Sequence, residues 1–207
     1  GFQAENADFA FACQRQGIAF IGPPTGVLNR LCHKIDCLET VRRAGYPVTP
    51  HIPIFFAGSS EETHQAVAEA AEKLGYPVLI KSFRGGRGRG ENLVLQPKRL
   101  KKALRRAQAE SQAVYGDPRI YLEKALYPSH LLAVQILADV SGQVIHLGER
   151  EGSLLHGSQK LLQESPAPCL NTALREQICA AAVEIFHLFH YAGAASVEFI
   201  LDDQGSF

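Results

Sequence analysis

The chain has 207 residues, a length typical of one large domain or two small ones. Its 21 Lys and Arg balance 21 Asp and Glu, which argues against a dedicated nucleic-acid-binding protein, since such a domain is usually clearly basic. The composition is 46% hydrophobic and 20% charged, as in globular proteins, and the apolar stretch at 17–27 is too short and too rich in Gly and Pro to span a bilayer.

The first quarter of the chain reads as the end of an α/β unit followed by a helix and a linker. Residues 5–16 form an amphipathic pattern that predicts a helix, and the apolar residues 18–21 predict a short strand after Gly17. A second helix is predicted over 26–44. Residues 46–53 contain three prolines and are interpreted as a linker.

The middle of the chain predicts a helix and strands around a glycine-rich loop. Residues 59–62 (SSEE) have the form of a capping box, which opens a helix that closes at Gly75. Further elements are then predicted in order: a strand at 76–82, the loop at 83–90, a strand at 92–96 and a helix at 97–115.

The last third of the chain predicts a strand, a hairpin, a helix and a final strand. Residues 120–126 read as the strand, and the hairpin runs over 130–139 and 144–150, turning at Ser141-Gly142. The helix is predicted at 173–190 and the last strand at 194–203. The pattern indicates a mixed helix and strand fold in two packed lobes that join near residue 125.

The most informative segment joins Lys81 to the loop at 83–90, which holds four glycines and three arginines. Glycines let backbone N–H groups approach phosphate oxygens, and lysine supplies a point charge for them. The Walker pattern places its lysine after the glycines and before a helix, whereas here the lysine comes first and the loop joins two strands. The segment therefore predicts a flap over phosphates, with a mobile basic hairpin as the alternative.

Two other groups of residues favour ordinary structural roles. The basic run at 98–106 surrounds a helical apolar stripe without aromatic residues, which favours a solvated helix face over a nucleic-acid patch. Five cysteines and no visible secretory signal favour reduced thiols, and Cys32-His33 with Cys37 lacks a second ligand pair at zinc spacing.

Glu198 is the candidate metal ligand of the final strand. If Ile200 faces the core, Glu198 does so too, because side chains two positions apart share a strand face. A buried carboxylate needs a partner, and either a metal ion held by oxygen ligands or a salt bridge would provide one.

Taken in order, nine segments of the chain resemble the biotin carboxylase family of the ATP-grasp superfamily. They are GFQAENADFA at 1–10, FIGP at 20–23, AGYPV at 44–48, GYPVLIK at 75–81, YLEK at 121–124, QILAD at 135–139, HLGER at 146–150, QK at 159–160 and VEF at 197–199. The resemblance implies a mixed α/β chain with an ATP-grasp fold, preceded by the end of a Rossmann-like pre-ATP-grasp domain. The implied ranges are 1–25 for the end of the pre-ATP-grasp domain, 26–52 for a linker helix and connection, 53–125 for the lid subdomain and 126–207 for the start of the catalytic subdomain.

The resemblance also implies an activity. That family uses ATP, Mg²⁺ or Mn²⁺ and bicarbonate to form carboxyphosphate, which then carboxylates biotin on a carrier protein, as in fatty-acid metabolism. Implied partners are the biotin carboxyl carrier protein or domain, a carboxyltransferase subunit and a second copy in a homodimer. We expect a cytoplasmic location, or alternatively the mitochondrial matrix.

Roles of individual residues follow from the same resemblance. Lys34 and Lys81 would contact the ATP phosphates, and Lys160 would lie in the catalytic nucleotide and bicarbonate region. Glu198 would be the first of two carboxylates that bind Mg²⁺. The lid residues are Gly85, Gly86, Arg87 and Gly88, and the hinge that holds adenine is Glu123, Lys124, Ala125 and Leu126.

Several positions depart from the family pattern. Arg84 and Arg87 replace lid glycines, and Leu131, Ala133, Leu155 and Ser158 replace polar pocket residues. The next strand, with the second metal carboxylate and a catalytic arginine, would follow Phe207, so we expect the chain to be inactive alone. Two alternatives therefore stay open: a degenerate, non-catalytic nucleotide-binding or assembly homologue, and an ATP-grasp ligase with another acceptor.

Overall fold

A computed structural model describes residue 3 and residues 6–56, 60–83, 92–157 and 159–207, without the side chains of 53–56. These residues fall into two compact units. The inserted unit is Val48–Tyr127, and the discontinuous unit combines the chain up to Pro47 with Pro128–Phe207. The predicted lid residues 84–90 and Ser158 lie outside the described residues.

The discontinuous unit begins with three helices, α1 (Ala7–Arg15), α2 (Thr25–Leu31) and α3 (Lys34–Arg43). The predicted strand at 18–21 is wrong, because no described strand pairs with these residues and they adopt no regular structure. The predicted single helix at 26–44 is also wrong. It breaks between α2 and α3, where His33 has the non-helical angles φ −102° and ψ 82°.

The inserted unit contains a four-stranded antiparallel sheet in the order β1-β4-β2-β3. Its elements, in chain order, are β1 (His51–Phe56), α4 (Glu61–Leu74), β2 (Val78–Ser82), β3 (Asn92–Val94), a 3₁₀ turn (Pro97–Arg99), α5 (Leu100–Tyr115) and β4 (Ile120–Lys124). Residues of α4, α5, β2 and β4 form its core: Val67, Ala71, Leu104, Val78, Ile80, Ile120 and Leu122.

Two local predictions in the inserted unit need correction. The proline-rich segment at 46–53 overlaps the first three residues of β1 and is not wholly a linker. β1 is an edge strand, where Pro53 removes no ladder donor that a central strand would need. The N-cap of α4 is Ser60, whose hydroxyl accepts from the Thr63 N–H at 3.1 Å. The predicted capping box would have put Glu62 three residues after the cap, a position that Thr63 occupies.

The second part of the discontinuous unit is a three-stranded antiparallel sheet in the order β6-β5-β9. Its elements are β5 (Ser129–Ala138), β6 (Val144–Glu151), the paired short strands β7 (Leu155–His156) and β8 (Gln159–Lys160), α6 (Thr172–Phe189) and β9 (Gly193–Asp202). The predicted hairpin, helix and last strand are confirmed, whereas β7 and β8 were not predicted.

One face of this sheet packs against α6. The sheet contributes Leu132, Val134, Ile136, Val197, Phe199 and Leu201, and α6 contributes Ile178, Cys179, Ala182 and Phe186. Residues of β5 and β9 alternate in unbroken register, so every second residue of both strands meets α6. Within the described parts of the chain, no helix combines the length and the hydropathy that crossing a membrane requires.

We expect the Asn171→Ala variant to lose about 1 kcal/mol of unfolding free energy, because the Asn171 side chain caps α6 by accepting from the Leu174 N–H at 2.9 Å. Urea denaturation measures the loss. Asn171→Asp keeps an acceptor and should be near wild type, as should Gln177→Ala at an exposed position of the same helix. Equal losses in Asn171→Ala and Gln177→Ala would contradict the capping role.

Candidate functional site

The face of the β6-β5-β9 sheet opposite α6 carries polar side chains. Arg150 and Glu198 both lie opposite Ala133 in the strand register, and Ser196 lies opposite Gln135. Because these positions alternate with the core residues, their side chains point away from α6. We call the side chains of Gln135, Arg150, Ser196 and Glu198 the polar face.

Glu198 is the exposed member of this polar face. Its side chain is 70% exposed, and its Oε1 lies 2.7 Å from the Lys160 Nζ. The predicted core-facing orientation is therefore wrong: Glu198 does share a face with Ile200, but the buried residue of that part of β9 is Leu201. Of the two partners considered for the carboxylate, the structure provides a salt bridge.

Lys160 reaches Glu198 from the short strand β8, and a glycine makes room for its stem. A Cβ built on Gly152 would lie 2.9 Å from the Lys160 Cδ, closer than such contacts normally are. Gly152 is itself held by a hydrogen bond from its N–H to the Leu131 carbonyl at 2.8 Å. The backbone at Gly152 thus provides a surface along which the lysine side chain runs to the polar face.

Arg150 is held in place by three acceptors. Its Nε donates to the Gln163 Oε1 at 3.0 Å, its Nη2 to the Ser196 Oγ at 3.0 Å and its Nη1 to the Gln135 Oε1 at 3.4 Å. The Gln135 amide in turn donates to the Ala195 carbonyl at 2.9 Å. The sequence placed Arg150 at a strand end and gave it no role. Its position between Glu149 and Glu151 could have indicated that it faces the opposite side of the strand from these two acidic residues.

Glu149, the neighbour of Arg150, points to the opposite face and is 3% exposed. Its Oε1 accepts from the Arg175 Nε at 2.8 Å and from the Ala167 N–H at 3.0 Å. Burial by itself raises the pKa of Glu149, but the hydrogen bonds from Arg175 and the backbone together lower it by more, so that the pKa lies below its ordinary value. Sequence reasoning did not identify this buried ion pair.

In the inserted unit, Lys81 belongs to a buried polar network. Its Nζ lies 2.8 Å from the Glu123 Oε2, and the Tyr121 hydroxyl donates to the Glu123 Oε1 at 2.7 Å. Lys81 and Tyr121 are opposite each other on β2 and β4, so the three side chains share the sheet face that α4 and α5 do not cover. The exposed fractions of the Lys81 and Glu123 side chains are 13% and 3%.

The predicted hinge residues that follow Glu123 are tied to their own unit. The backbone N–H of Lys124 donates to the Pro50 carbonyl at 2.7 Å, and that of Ala125 donates to the Pro77 carbonyl at 3.1 Å. The Lys124 ammonium donates to the carbonyls of Gly75 and Tyr76. These donors already have partners, and Leu126 is half-buried directly after them.

The remaining predicted site residues lie at other places in the chain. Lys34 is half-buried at the first position of α3. Gly85, Gly86, Arg87 and Gly88 fall outside the described residues. Leu131 faces Ile200 in the register, and Leu155 is 41% exposed on β7. Within the discontinuous unit, the structure thus brings Lys160 to Glu198 but places Ala133, not a carboxylate, beside them.

Comparison with known proteins identifies the class. The family model of the carbamoyl-phosphate synthase L chain ATP-binding domain matches residues 34–207. A biotin carboxylase from Nostoc sp. is 42% identical over 209 aligned residues, covering 100% of this chain and 45% of the relative. The chain therefore belongs to this family of ATP-binding domains, and its resemblance to the biotin carboxylases is confirmed.

Solved structures of biotin carboxylases show the same similarity. A biotin carboxylase–β-γ-ATP complex from Campylobacter jejuni matches with a TM-score of 0.93 at 35% identity over 100% of this chain and 45% of that one. The biotin carboxylase domain dimer of the Hydrogenobacter thermophilus 2-oxoglutarate carboxylase, with MgADP, ADP and bicarbonate, matches with a TM-score of 0.90 at 33% identity, covering 100% and 44% of the two chains. The predicted mixed α/β class and ATP-grasp fold are confirmed. The chain spans less than half the length of these relatives.

We expect Arg175→Met to cost about 3 kcal/mol or more of unfolding free energy, because it leaves the buried Glu149 carboxylate without its cation. Glu149→Gln in the Arg175→Met background should recover part of that loss, since it removes the buried charge. Chemical denaturation of wild type and the two variants at neutral pH measures both effects. A loss of less than 1 kcal/mol in Arg175→Met would contradict the importance of the pair.

The same pair predicts a pH dependence. Because the pKa of Glu149 is lower in the folded chain than in the unfolded chain, it stabilises the fold above the ordinary carboxyl range. That contribution is lost as the pH falls through the ordinary value toward the lower folded value. Wild type should therefore lose more stability than Glu149→Gln between neutral and acidic pH, measured by denaturation across pH. Parallel curves would exclude a contribution from Glu149.

Proposed function

We propose that this chain is the MgATP-binding part of a biotin carboxylase, in which ATP and bicarbonate form carboxyphosphate before biotin on a carrier is carboxylated. The observation that carries the proposal is the contact between the Lys160 ammonium and the exposed Glu198 carboxylate on the polar face. The contact places a cation suited to phosphate beside a carboxylate suited to a metal ion. The chain is similar to biotin carboxylases solved as a β-γ-ATP complex and with MgADP.

Glu198 is suited to Mg²⁺. Magnesium prefers carboxylate oxygens and usually keeps several water ligands, which an exposed side chain permits. The carboxylate already has a cation at 2.7 Å, so a metal ion would replace or share the position of the Lys160 ammonium. When bound, the ion would neutralise phosphate charge; Lys160 would then be available to an anionic oxygen of nucleotide or bicarbonate.

Lys81 is suited to a phosphate contact because its position is fixed. Glu123 accepts one hydrogen bond from Tyr121 and holds the Lys81 ammonium, so the lysine does not need to be ordered when a ligand binds. We assign Glu123 a positioning role through its side chain.

The other predicted roles complete this proposal. Phosphoryl transfer depends on charge neutralisation and positioning rather than on a covalent nucleophile. Lys34 supplies a further phosphate-binding cation, and the loop with Gly85, Gly86, Arg87 and Gly88 covers the phosphates. The backbone at 123–126 receives adenine through groups other than the N–H of Lys124 and Ala125, which are already bonded.

Partners and cofactors are proposed on the same basis. The cofactors are ATP and Mg²⁺, with bicarbonate as substrate and biotin on a carboxyl carrier protein or domain. A carboxyltransferase subunit would receive the carboxyl group. The relative from Hydrogenobacter thermophilus was solved as a domain dimer, which supports a homodimer here.

A second candidate function is nucleotide binding without carboxylation. The observation that favours it is Ala133, which lies opposite both Arg150 and Glu198 and is 2% exposed. The centre of the polar face therefore has a methyl group between two charged side chains. Leu131, two residues away on the same face of β5, is also apolar. Such a strand can hold Mg²⁺ and phosphate at Glu198 and Lys160 without providing further acid or base groups.

We expect Lys81→Gln to weaken MgATP binding about tenfold or more, since a charge-assisted contact to phosphate is lost while a donor to Glu123 is kept. Isothermal titration of MgATP into the chain measures the affinity. Lys98→Ala, at an exposed lysine of the same unit, should bind like wild type. Equal affinities of wild type and a folded Lys81→Gln variant would contradict the phosphate role.

Glu198→Gln should reduce the Mg²⁺ dependence of ATP binding, so that the ratio of affinities with and without Mg²⁺ falls about tenfold. Glu184→Gln, at an exposed position of α6, is the matched control and should keep the wild-type ratio. If both variants keep that ratio, Glu198 is not a metal ligand.

The two candidate functions differ in turnover by the complete protein. Bicarbonate- and biotin-dependent ADP release that is lost in Lys160→Gln supports the carboxylase. MgATP binding without such release supports the non-catalytic alternative. Absence of nucleotide binding contradicts both.

A further inference from the structure

A second cluster of metal-type ligands lies on the α6 face of the β6-β5-β9 sheet, away from the polar face. It consists of His130 on β5, Glu151 on β6 and Cys169 in the loop before α6. One potential donor atom from each residue lies within 4.8 Å of the other two. We propose that His130, Glu151 and Cys169 form a binding site for a borderline-soft divalent transition metal such as Zn²⁺.

The strand register places the first two ligands. Glu151 lies opposite Leu132, and His130 is two residues from Leu132 on the same strand face. The His130 Nδ1 is 2.6 Å from the Glu151 Oε1. His130 therefore points away from Glu198, and its side chain is 44% exposed, which gives an ion a route from solvent.

The third ligand is held by the buried ion pair. The Glu149 carboxylate accepts from the Ala167 N–H, and the Arg175 Nη2 donates to the carbonyls of Ala167 and Leu170. Both sides of Cys169 are thus tethered, and its Sγ lies within 4.8 Å of donor atoms of His130 and Glu151. A ligand that is already ordered loses little conformational freedom when it binds a metal.

Further hydrogen bonds hold the backbone and the carboxylate of Glu151 in place. Its backbone N–H donates to the Glu164 carbonyl at 2.8 Å, and its carbonyl accepts from the Glu164 N–H at 2.9 Å. The Ser153 hydroxyl donates to the Glu151 Oε1 at 2.7 Å and accepts from the Leu131 N–H. Partners of this kind orient a metal-binding carboxylate.

The chemistry of the three donors selects the metal. Zn²⁺ binds imidazole nitrogen, thiolate sulfur and carboxylate oxygen at four positions, and three protein ligands leave one for water. A thiolate, a carboxylate and a neutral imidazole together balance the charge of a divalent ion, which limits the cost of partial burial. Mg²⁺ prefers oxygen ligands, so the metal expected at this cluster differs from the Mg²⁺ proposed at Glu198.

The rearrangement on binding is small. Donors of a tetrahedral zinc site lie about 3.3 Å apart, so the His130 Nδ1 and the Glu151 Oε1 would separate by about 0.7 Å. When the metal binds, the Cys169 thiol releases its proton to solvent, and the contact between His130 and Glu151 is replaced by metal–ligand bonds.

Cobalt titration of the reduced chain tests the site. We expect one equivalent of Co²⁺ to produce a thiolate-to-cobalt charge-transfer band that Zn²⁺ abolishes and excess Mg²⁺ leaves unchanged. The isosteric variant Cys169→Ser should lack the band, and Glu151→Gln should bind Co²⁺ about tenfold more weakly or not at all. The matched control is Cys32→Ser/Cys37→Ser, which removes two thiols outside the cluster and should keep the band.

Thermal unfolding gives an independent measurement. Zn²⁺ at a hundredfold excess over its Kd should raise the Tm of wild type by about 5–10 °C, and by less than about 2 °C in Cys169→Ser or Glu151→Gln. The proposal is overturned if wild type gives no band, if Cys169→Ser keeps it, or if the Cys32→Ser/Cys37→Ser variant loses it. A hydrogen-bonded cluster without metal affinity would give the first result. None of these results depends on nucleotide binding.

Discussion

The buried ion pair between Glu149 and Arg175 is the interaction on which the discontinuous unit depends. A carboxylate that is 3% exposed must have its charge and its lone pairs satisfied, and Arg175 and the Ala167 N–H satisfy them. In doing so they join β6 to α6 and to the loop that enters this helix. The hydrophobic contacts between sheet and helix are non-directional, whereas this pair sets the position of the strand along the helix.

Strand alternation then assigns three consecutive residues to different environments. Glu149 and Glu151 point toward α6, where one forms the ion pair and the other meets His130. Arg150, between them, points the other way and organises the polar face that carries Glu198. A shift of β6 by one residue would exchange these roles, so the core pair and the candidate nucleotide site depend on the same register.

Local patterns predicted most elements correctly where neighbouring residues decide them. The hairpin of β5 and β6 followed from alternating residues around Ser141-Gly142, and α6 followed from helical periodicity. β1 was missed because the three prolines at 46–53 are typical of a linker, and only the order of the sheet shows that the strand lies at an edge. The strand expected at 18–21 is absent from the described sheets. Its apolar residues are typical of a strand, but none of the described strands pairs with them.

The sequence by itself determined the family, the mixed α/β class and the candidate lysines and carboxylate, because motif order and residue type are written along the chain. Only the tertiary structure decided how those groups are used. It turned Glu198 outward to Lys160, and it paired Lys81 with Glu123. Each pairing joins residues far apart in sequence, and its geometry follows from strand register and burial, which no local pattern contains.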